Sequence, residues 1–240
     1  MAEQADTNAA IWKSAEVARD FASMTQQRER ERAEQLTLVA RLLPFGRGDA
    51  FTFLDLGAGT GAAARAVLAE YSSATGILAD FSQQMMAEGA DQLAPFAGRY
   101  RYVEFDMHSS DWPSDIPVPL DAIVSTLSIH HLPDARKQTL FREIRRQLQP
   151  GGWYINYDPI RAPDDAMAAI WERVNDRYDP QAAYKRANRT PAEQARYENH
   201  VRYMIPLEPQ LDWLRQAGFV DVDVFWKRLD WVIYGGRSPA

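Results

Sequence analysis

The apolar residues between positions 50 and 160 follow two alternating patterns. Short apolar runs predict strands at 51–56, 75–79, 100–105, 120–125 and 153–157. Apolar residues three and four positions apart predict helices at 61–71, 83–93 and 134–148. Strands that alternate with helices are typical of a parallel sheet with helices on both faces, so we predict an α/β fold with right-handed crossovers.

The C-terminal segment changes to a period of two. In FVDVDVFW the apolar residues alternate with aspartates and are predicted to share one face of a strand: Val220, Val222, Val224 and Trp226. LDWVIYG follows after two basic residues and predicts a second strand. The two strands are expected to form an antiparallel hairpin at the edge of the sheet.

The regions on either side of this core have helical patterns. Apolar residues between 14 and 43 predict one or two helices that end before Pro44. Residues 161–204 are rich in Arg, Tyr and Ala and are interrupted by three prolines, so we expect short helices that lie over the strand ends as a substrate-selecting lid. A single domain then divides into a helical cap (1–49), a ligand-binding core (50–160), the lid (161–204) and a C-terminal helix with the hairpin (205–240).

Composition narrows the function classes. A formal net charge of −6 and a pI near 5.3 argue against a general nucleic-acid partner. The absence of cysteine excludes disulfides, thiolate metal sites and cysteine nucleophiles. The start of the chain lacks the pattern of a secretory signal, and no run of 18 apolar residues occurs, so we expect a soluble cytoplasmic protein with no membrane partner.

The segment FLDLGAGTG carries the main chemical signal. A strand that leads into Gly57, Gly59 and Gly61 and then into an alanine-rich helix lets the backbone approach a ligand and directs a helix N terminus at it. The loop alone is weakly diagnostic, because GAGTGA also satisfies the dinucleotide pattern. A phosphate-binding P-loop is excluded because no Gly-Lys-Ser/Thr follows.

Asp55, two positions before the first glycine, separates the remaining alternatives. A carboxylate there would repel a pyrophosphate at short range but attract a positively charged ligand. S-adenosylmethionine has a sulfonium, an ammonium and no phosphate, so it suits this loop better than NAD. The alternative interpretation is that Asp55 caps the amides of the loop.

Two later carboxylates support a nucleoside ligand. Asp80 follows the loop by about twenty residues at a predicted strand end, where it can accept both ribose hydroxyls, as it also could in an NAD site. Asp106 follows the third strand and can accept a hydrogen bond from an adenine amino group, with Met107 beside it. A turn cap explains Asp106 equally well when it is taken alone.

Together these segments resemble the class I S-adenosylmethionine-dependent methyltransferases. FLDLGAGTG is similar to the first motif of that family, ADFSQQMM to its acidic-loop segment, and DAIVSTLSIHHLPD with LFREIRRQLQPGGWYINYDP to its fourth and fifth strands. The resemblance covers residues 50–160, and the C-terminal tail more loosely. It implies S-adenosyl-L-methionine as cofactor and a Rossmann-like, doubly wound, seven-stranded sheet whose last strand is antiparallel.

The resemblance also implies roles for individual residues. The methionine part of the cofactor would lie on the loop residues Asp55, Gly57, Ala58, Gly59 and Gly61. The adenosine part would contact the strand-end residues Asp80, Phe81, Asp106 and Met107. Ser125 and Thr126, at the end of the fourth strand, would border the sulfonium.

Methyl transfer from a sulfonium is an in-line displacement and needs a base only when the acceptor loses a proton. The candidates at strand ends are His130, His131, Tyr157 and Asp158. A role in fixing the loop is the stronger interpretation for His130, whereas both roles stay open for His131, so His131, Tyr157 and Asp158 are the predicted catalytic residues. Adjacent histidines rarely converge on one ion without further ligands, so we predict no metal.

The leading hypothesis is methyl transfer to a nitrogen or oxygen of a small molecule by a monomer or homodimer. Five lid cations, interspersed with tyrosines, suit an anionic or aromatic acceptor, although a solvated helix face explains most of them: Lys185, Arg186, Arg189, Arg196 and Arg202. The alternatives are an enzyme similar to carboxy-S-adenosylmethionine synthase, with Arg196 as its marker, a methyltransferase of macromolecules, a non-catalytic S-adenosylmethionine-binding module and an NAD oxidoreductase.

Overall fold

A seven-stranded sheet organises the computed structural model, which describes residues 32–179 and 181–240. The strands in chain order are β1 (Thr52–Leu56), β2 (Thr75–Asp80), β3 (Tyr100–Glu104), β4 (Leu120–Thr126), β5 (Leu148–Pro159), β6 (Val220–Arg228) and β7 (Trp231–Arg237). Their order across the sheet is β3-β2-β1-β4-β5-β7-β6, and β7 runs antiparallel to both of its neighbours. The predicted doubly wound sheet with an antiparallel last strand is confirmed.

Eight α-helices lie within the described residues. They are α1 (Ala33–Arg41), α2 (Ala62–Glu70), α3 (Gln83–Gln92), α4 (Asp134–Gln147), α5 (Asp165–Tyr178), α6 (Ala182–Ala187), α7 (Pro191–Val201) and α8 (Leu207–Gln216). Short 3₁₀ helices occupy Ala94–Phe96 and Ile129–His131. The part of the predicted helical cap before residue 32 lies outside the described residues. None of the helices found in 32–179 and 181–240 combines the length and hydropathy needed to cross a membrane.

The helices cover both faces of the sheet because successive residues of the buried strands point to opposite sides. In β1, Leu54 and Leu56 belong to the apolar cluster formed with α4 and α8, whereas Phe53 belongs to the cluster formed with α1 and α2. All three side chains are fully buried. Each contributes about 1.5–3 kcal/mol of hydrophobic stabilisation.

The edge strand β6 departs from the predicted single apolar face. Val222 and Val224 pack against the cluster of α4 and α8, but Trp226 packs against the opposite cluster. The pairing of β6 with β7 shifts between Val224 and Trp226. Such a bulge reverses the alternation of side chains, so the prediction that Trp226 shares a face with the valines was wrong.

The lid segment, residues 161–204, is helical as predicted but loosely packed. Trp171 is the buried residue of α5, and α6 and α7 have none among their described side chains. A Thr190 and Glu193 capping box begins α7. The sheet therefore carries the core, and the lid segment adds a thin helical layer beside it.

Candidate functional site

The loop after β1 requires its glycines. Gly57, Gly59 and Gly61 have φ values of 73°, 53° and 78°, in the left-handed region that other residues rarely adopt. The amides of Gly57 and Ala58 donate to the carbonyl of Ala79 at 2.8 and 3.0 Å. A Cβ atom on Gly57 would lie 1.9 Å from Ser128 Oγ, so the loop and the segment after β4 are in close contact.

Asp80 joins the end of β2 to this loop. Its Oδ2 accepts a hydrogen bond from the Gly59 amide at 2.7 Å, and its Oδ1 accepts one from the Ser82 amide at 2.8 Å. The residue is 7% exposed. Burial and the charge of Asp106 raise the pKa of this carboxyl, while the amide hydrogen bonds lower it. The structure thus brings Asp80 to the glycine loop, and its contact with a ribose stays a prediction.

Asp55 is fully buried and contacts the start of α2. Its Oδ2 accepts a hydrogen bond from the Ala64 amide at 2.9 Å, so it caps an amide in the first turn of α2 instead of the loop amides considered as the alternative from the sequence. Its Oδ1 is buried without a hydrogen-bond partner among the described residues. Burial, with a contribution from Asp80, raises the pKa of Asp55 to about 7, so the carboxyl is partly protonated at neutral pH.

The predicted adenine-side residues lie at the ends of β2 and β3. Asp106 is half exposed, and its Oδ1 lies 2.9 Å from His108 Nδ1. The methyl carbon of Met107 lies 2.9 Å from the Cβ position of Gly57, so Met107 borders the loop. A cavity of about 390 Å³ opens beside Phe81 and is lined also by Ser82, Gln83, Gln84 and Glu104.

The end of β4 is hydrogen-bonded to β1 through a side chain. Ser125 is buried, and its hydroxyl donates to the Leu56 carbonyl at 2.7 Å. Thr126 is half-buried at the strand end. Leu127 has a φ of 58°, which is strained for a branched side chain and typical of functional turns. This turn places Ser128 against Gly57, a contact that no local sequence pattern indicates.

Three histidines meet beyond this turn, and we call His130, His131 and His200 the histidine cluster. His130 is 3% exposed, with its Nδ1 2.7 Å from Asp158 Oδ1 and its amide donating to Asp158 Oδ2 at 2.8 Å. Its Nε2 lies 3.3 Å from Nδ1 of His200 in α7. Asp158 is therefore a positioning residue for His130.

His131 lies against the same pair. The ring centroids of His130 and His131 are 3.9 Å apart, and Nδ1 of His131 is buried without a partner in the described part of the chain. Burial, reinforced by the neighbouring imidazoles, holds the pKa of His131 well below its ordinary value. The imidazole is therefore neutral at pH 7.

Tyr157 does not join this group. It precedes Asp158 in β5, so its side chain faces the other side of the sheet, where its ring packs against Trp226 and Trp231 with centroids 6.2 and 5.6 Å away. Burial raises the pKa of its phenol to about 12. The structure thus separates the predicted catalytic set: Asp158 and His131 lie together, and Tyr157 lies apart.

Comparison with known proteins gives a family match for the middle of the chain and several curated relatives. The family described as "Methyltransferase domain" matches residues 53–152. An uncharacterized methyltransferase of Bacillus cereus is 29% identical over 154 residues, which are 61% of this chain and 67% of that protein. Across the curated relatives that match, the chain spans between 40% and 67% of their lengths.

Solved structures agree at the level of the fold. An O-methyltransferase family protein from Burkholderia thailandensis superposes with a TM-score of 0.66 at 15% identity, over 93% of this chain and 60% of that one. Human N-acetylserotonin methyltransferase, solved with its cofactor S-adenosylmethionine, gives 0.63 at 16% identity, over 96% of this chain and 58% of that one. Residues 53–152 therefore form a methyltransferase domain, and the fold is that of the class I S-adenosylmethionine-dependent methyltransferases.

The residues of this methyltransferase fit the cofactor of its family. The loop combines left-handed glycines with the N terminus of α2, and no lysine is placed there for a phosphate. The buried, unpartnered Oδ1 of Asp55 is an acceptor available at the base of the loop, and Asp80 and Asp106 add two more carboxylates. This acceptor-rich set suits S-adenosylmethionine, which is positively charged and has hydroxyl and ammonium donors.

At least two of the five cations predicted for the lid segment contact other residues of that segment. Arg186 pairs with Glu172 and Asp176 of α5 at 2.5 and 2.9 Å. Arg189 lies over the ring of Tyr197 at 3.7 Å. These contacts support the solvated-face interpretation for these side chains. The sequence did not decide the role of His200, and the fold brings this residue to the histidine cluster.

Proposed function

We propose that this methyltransferase transfers a methyl group from S-adenosylmethionine to a nitrogen or oxygen of a small molecule. One observation carries the proposal: the Gly57–Ser128 contact joins the glycine loop to the segment that begins the histidine cluster. A cofactor on the loop and an acceptor at the cluster would therefore share one edge of the sheet. Ligands of open α/β sheets bind at this edge, outside the carboxyl ends of the strands.

The cofactor would be held along the ends of β1 to β3. The backbone of Gly57, Ala58, Gly59 and Gly61 would approach its methionine part, with Asp55 beneath the loop. Asp80 would accept the ribose hydroxyls while it keeps the Gly59 amide in place. Phe81, Asp106 and Met107 would border the adenine, and Thr126 the sulfonium. When bound, S-adenosylmethionine supplies the methyl group as a sulfonium electrophile.

The acceptor's proton would go to the histidine cluster. Asp158 accepts from the His130 ring at Nδ1, which leaves Nε2 as the basic atom of His130. His131 is adjacent and neutral and would be the second base, weaker than an ordinary imidazole because its pKa is lowered. Tyr157, at the far side of the sheet, would support the strand and not touch the acceptor. A malonyl-[acyl-carrier protein] O-methyltransferase of Halorhodospira halophila, which is 33% identical over 125 residues, supports an oxygen acceptor.

Calorimetric titration with S-adenosylmethionine, S-adenosylhomocysteine and NAD tests the first half of the proposal, with mass spectrometry of any co-purified molecule. We expect both adenosyl compounds to bind and NAD to be rejected. NAD binding alone would contradict the proposal, and a co-purified carboxylated cofactor would favour the synthase alternative.

A screen of small hydroxyl and amine compounds with methyl-labelled cofactor tests the second half. We expect labelled product from at least one acceptor and loss of labelling in His130→Gln with cofactor affinity retained. Tight cofactor binding with no transfer to any acceptor would favour a binding module. Cytoplasmic location and a monomeric or homodimeric state stay predictions from the sequence.

A further inference from the structure

We propose that the histidine cluster binds one divalent transition-metal ion, of the class to which zinc belongs. The three imidazoles each offer one nitrogen, and these nitrogens lie within 4.8 Å of one another. No second group of three such side chains with this spacing was found in residues 32–179 and 181–240. The proposal of an ion is independent of methyl transfer. Under the proposed function, a bound ion would replace His130 and His131 as the group that promotes loss of the acceptor's proton, because their ring nitrogens would then be its ligands.

The spacing between His130 and His200 suits a tetrahedral ion. With metal–nitrogen bonds of about 2.0–2.1 Å, two nitrogens on a tetrahedral ion lie about 3.3 Å apart. The distance from His130 Nε2 to His200 Nδ1 is 3.3 Å. The same distance also fits a hydrogen bond between two imidazoles, so a test must distinguish a bound ion from this hydrogen bond.

The surroundings of His130 match those of a metal ligand. Metal-binding histidines usually donate their second ring nitrogen to a carboxylate or carbonyl, which orients the ring and selects the nitrogen that faces the ion. Asp158 holds the Nδ1 side of His130 at 2.7 Å and its amide at 2.8 Å, and Asp158 is 1% exposed. Nε2 is therefore directed at His200 by a rigid, buried contact.

His131 adds an independent observation. Its Nδ1 is buried and has no partner among the described residues, which is an uncommon state for a side-chain nitrogen. Its ring centroid is 3.9 Å from that of His130 and 5.6 Å from that of His200. A modest rotation of this ring would bring a third nitrogen to an ion held by the other two.

The ligand set selects the chemical class of the ion. Three imidazoles without a carboxylate favour Zn²⁺, Co²⁺, Ni²⁺ or Cu²⁺ over Mg²⁺ and Ca²⁺, which prefer oxygen. Three protein ligands leave a fourth position open, as in catalytic zinc sites. An acceptor oxygen or nitrogen that occupied this position would lose its proton to solvent more easily, because the ion stabilises the anion.

The sequence predicted no metal because two adjacent histidines lacked a further ligand. The fold supplies that ligand from α7, 70 residues after His130 in the chain. An ion would therefore also join the lid segment to the 3₁₀ helix of the core.

The test is a titration of chelator-treated protein with Co²⁺ and Zn²⁺, without cofactor or acceptor. We expect one equivalent to bind, with the intense visible absorption of tetrahedral Co²⁺ and a higher melting temperature in the presence of Zn²⁺. His200→Ala should weaken binding at least about 100-fold, because two ligands remain where three were. The matched control is His108→Ala, which removes the one histidine of the chain outside the cluster and should leave metal binding unchanged.

Several results would overturn the proposal. These are an absence of Co²⁺ binding at about millimolar concentration, a weak octahedral spectrum, or equal affinity in wild type and His200→Ala. Circular dichroism checks that the variant is folded, and if it is not, the wild-type cobalt spectrum alone decides between tetrahedral binding and none. Cofactor titration of the same samples separates the two proposals: metal bound without S-adenosylmethionine affinity would contradict only the proposed function, and the reverse would contradict only the metal site.

Discussion

The two sides of the candidate site are built from residues with very different separations along the chain. On the cofactor side, Gly59 and Asp80 are hydrogen-bonded across 21 residues, from the ends of two consecutive strands. On the acceptor side, His130 meets Asp158 across 28 residues and His200 across 70. The first side follows from the strand order of a doubly wound sheet, and the second depends on how the lid segment packs.

The two sides also satisfy their polar groups differently. Asp55 and Asp80 accept hydrogen bonds from backbone amides, so the conformation of the loop holds them. The histidine cluster is held by contacts between side chains. His130 and His131 lie on a 3₁₀ helix, and His200 lies on α7. We therefore expect substitutions on the cofactor side to be severe and local, and those near the lid segment to be smaller.

The largest effect is expected for Gly57→Ala. The new Cβ would lie 1.9 Å from Ser128 Oγ and 2.6 Å from Ser128 Cβ. The glycine loop and the segment that carries Ser128 must therefore move apart. We expect S-adenosylmethionine binding to weaken at least about 1,000-fold by calorimetry, which is about 4 kcal/mol.

Gly98→Ala is the matched control for Gly57→Ala. Gly98 also has a positive φ, of 82°, but a Cβ there meets nothing within 4 Å. Both variants should lose about 1–2 kcal/mol of unfolding free energy from the left-handed backbone. Equal cofactor affinity in the two variants would show that the Gly57–Ser128 contact does not shape the binding site.

The second effect concerns the buried charge of Asp55. Its pKa is raised from 3.8 to about 7 in the folded protein, so between these values the folded state keeps a proton that the unfolded state has lost. The unfolding free energy should therefore fall as the pH rises through this window, by up to about 4 kcal/mol. In Asp55→Asn this dependence should disappear, as measured by urea unfolding at pH 4 to 8.

Asp91→Asn controls for the loss of one negative charge, because Asp91 is an exposed residue of α3. Parallel stability profiles for wild type and Asp55→Asn would contradict the raised pKa of Asp55.

Cofactor titrations in buffers of different ionisation enthalpy measure the protons released when the cofactor binds. If the ammonium or sulfonium lowers the pKa of Asp55, binding at pH 7 should release up to about half a proton.

The third effect is expected for Asp80→Ala. The substitution removes the acceptor of the Gly59 and Ser82 amides and, under the proposed function, that of the ribose hydroxyls. We expect cofactor affinity to fall about 100-fold, or about 2.7 kcal/mol, and Asp80→Asn, which keeps one acceptor oxygen, to lose less. Affinity unchanged relative to an Asp91→Ala control, with the fold intact by circular dichroism, would remove Asp80 from the cofactor side.

The smallest effect should be confined to the lid segment. Lys137 of α4 is 1% exposed at its side chain, and its Nζ donates to the Tyr203 carbonyl and to Asp134. Lys137→Met keeps the apolar stem and removes the donor, so amide exchange in residues 191–204 should become about tenfold faster while β1 and β4 stay unchanged. Lys185→Met, an exposed lid substitution, is the control. Faster exchange throughout β4 would mean that Lys137 supports the core instead of the lid segment.

The sequence predicted the sheet well because its signals are local. Strand β1 was placed within one residue, since an apolar run bounded by glycines has few other interpretations. The hairpin was predicted, but the side of Trp226 was not, because a bulge shifts the register without changing the alternating pattern. The position of Ser125 at a strand end was likewise predicted, but its hydrogen bond to the Leu56 carbonyl, 69 residues away in the chain, was not.

What the sequence alone determined is the α/β order, the glycine loop and the carboxylates at the ends of consecutive strands. These follow from periodicities of two and 3.6 residues and from the rule that parallel strands end at one edge. The tertiary structure alone decided the burial of Asp55, the separation of Tyr157 from Asp158 and the arrival of His200 beside His130. These depend on packing between segments far apart in the chain, and no local pattern records the distance between two such side chains.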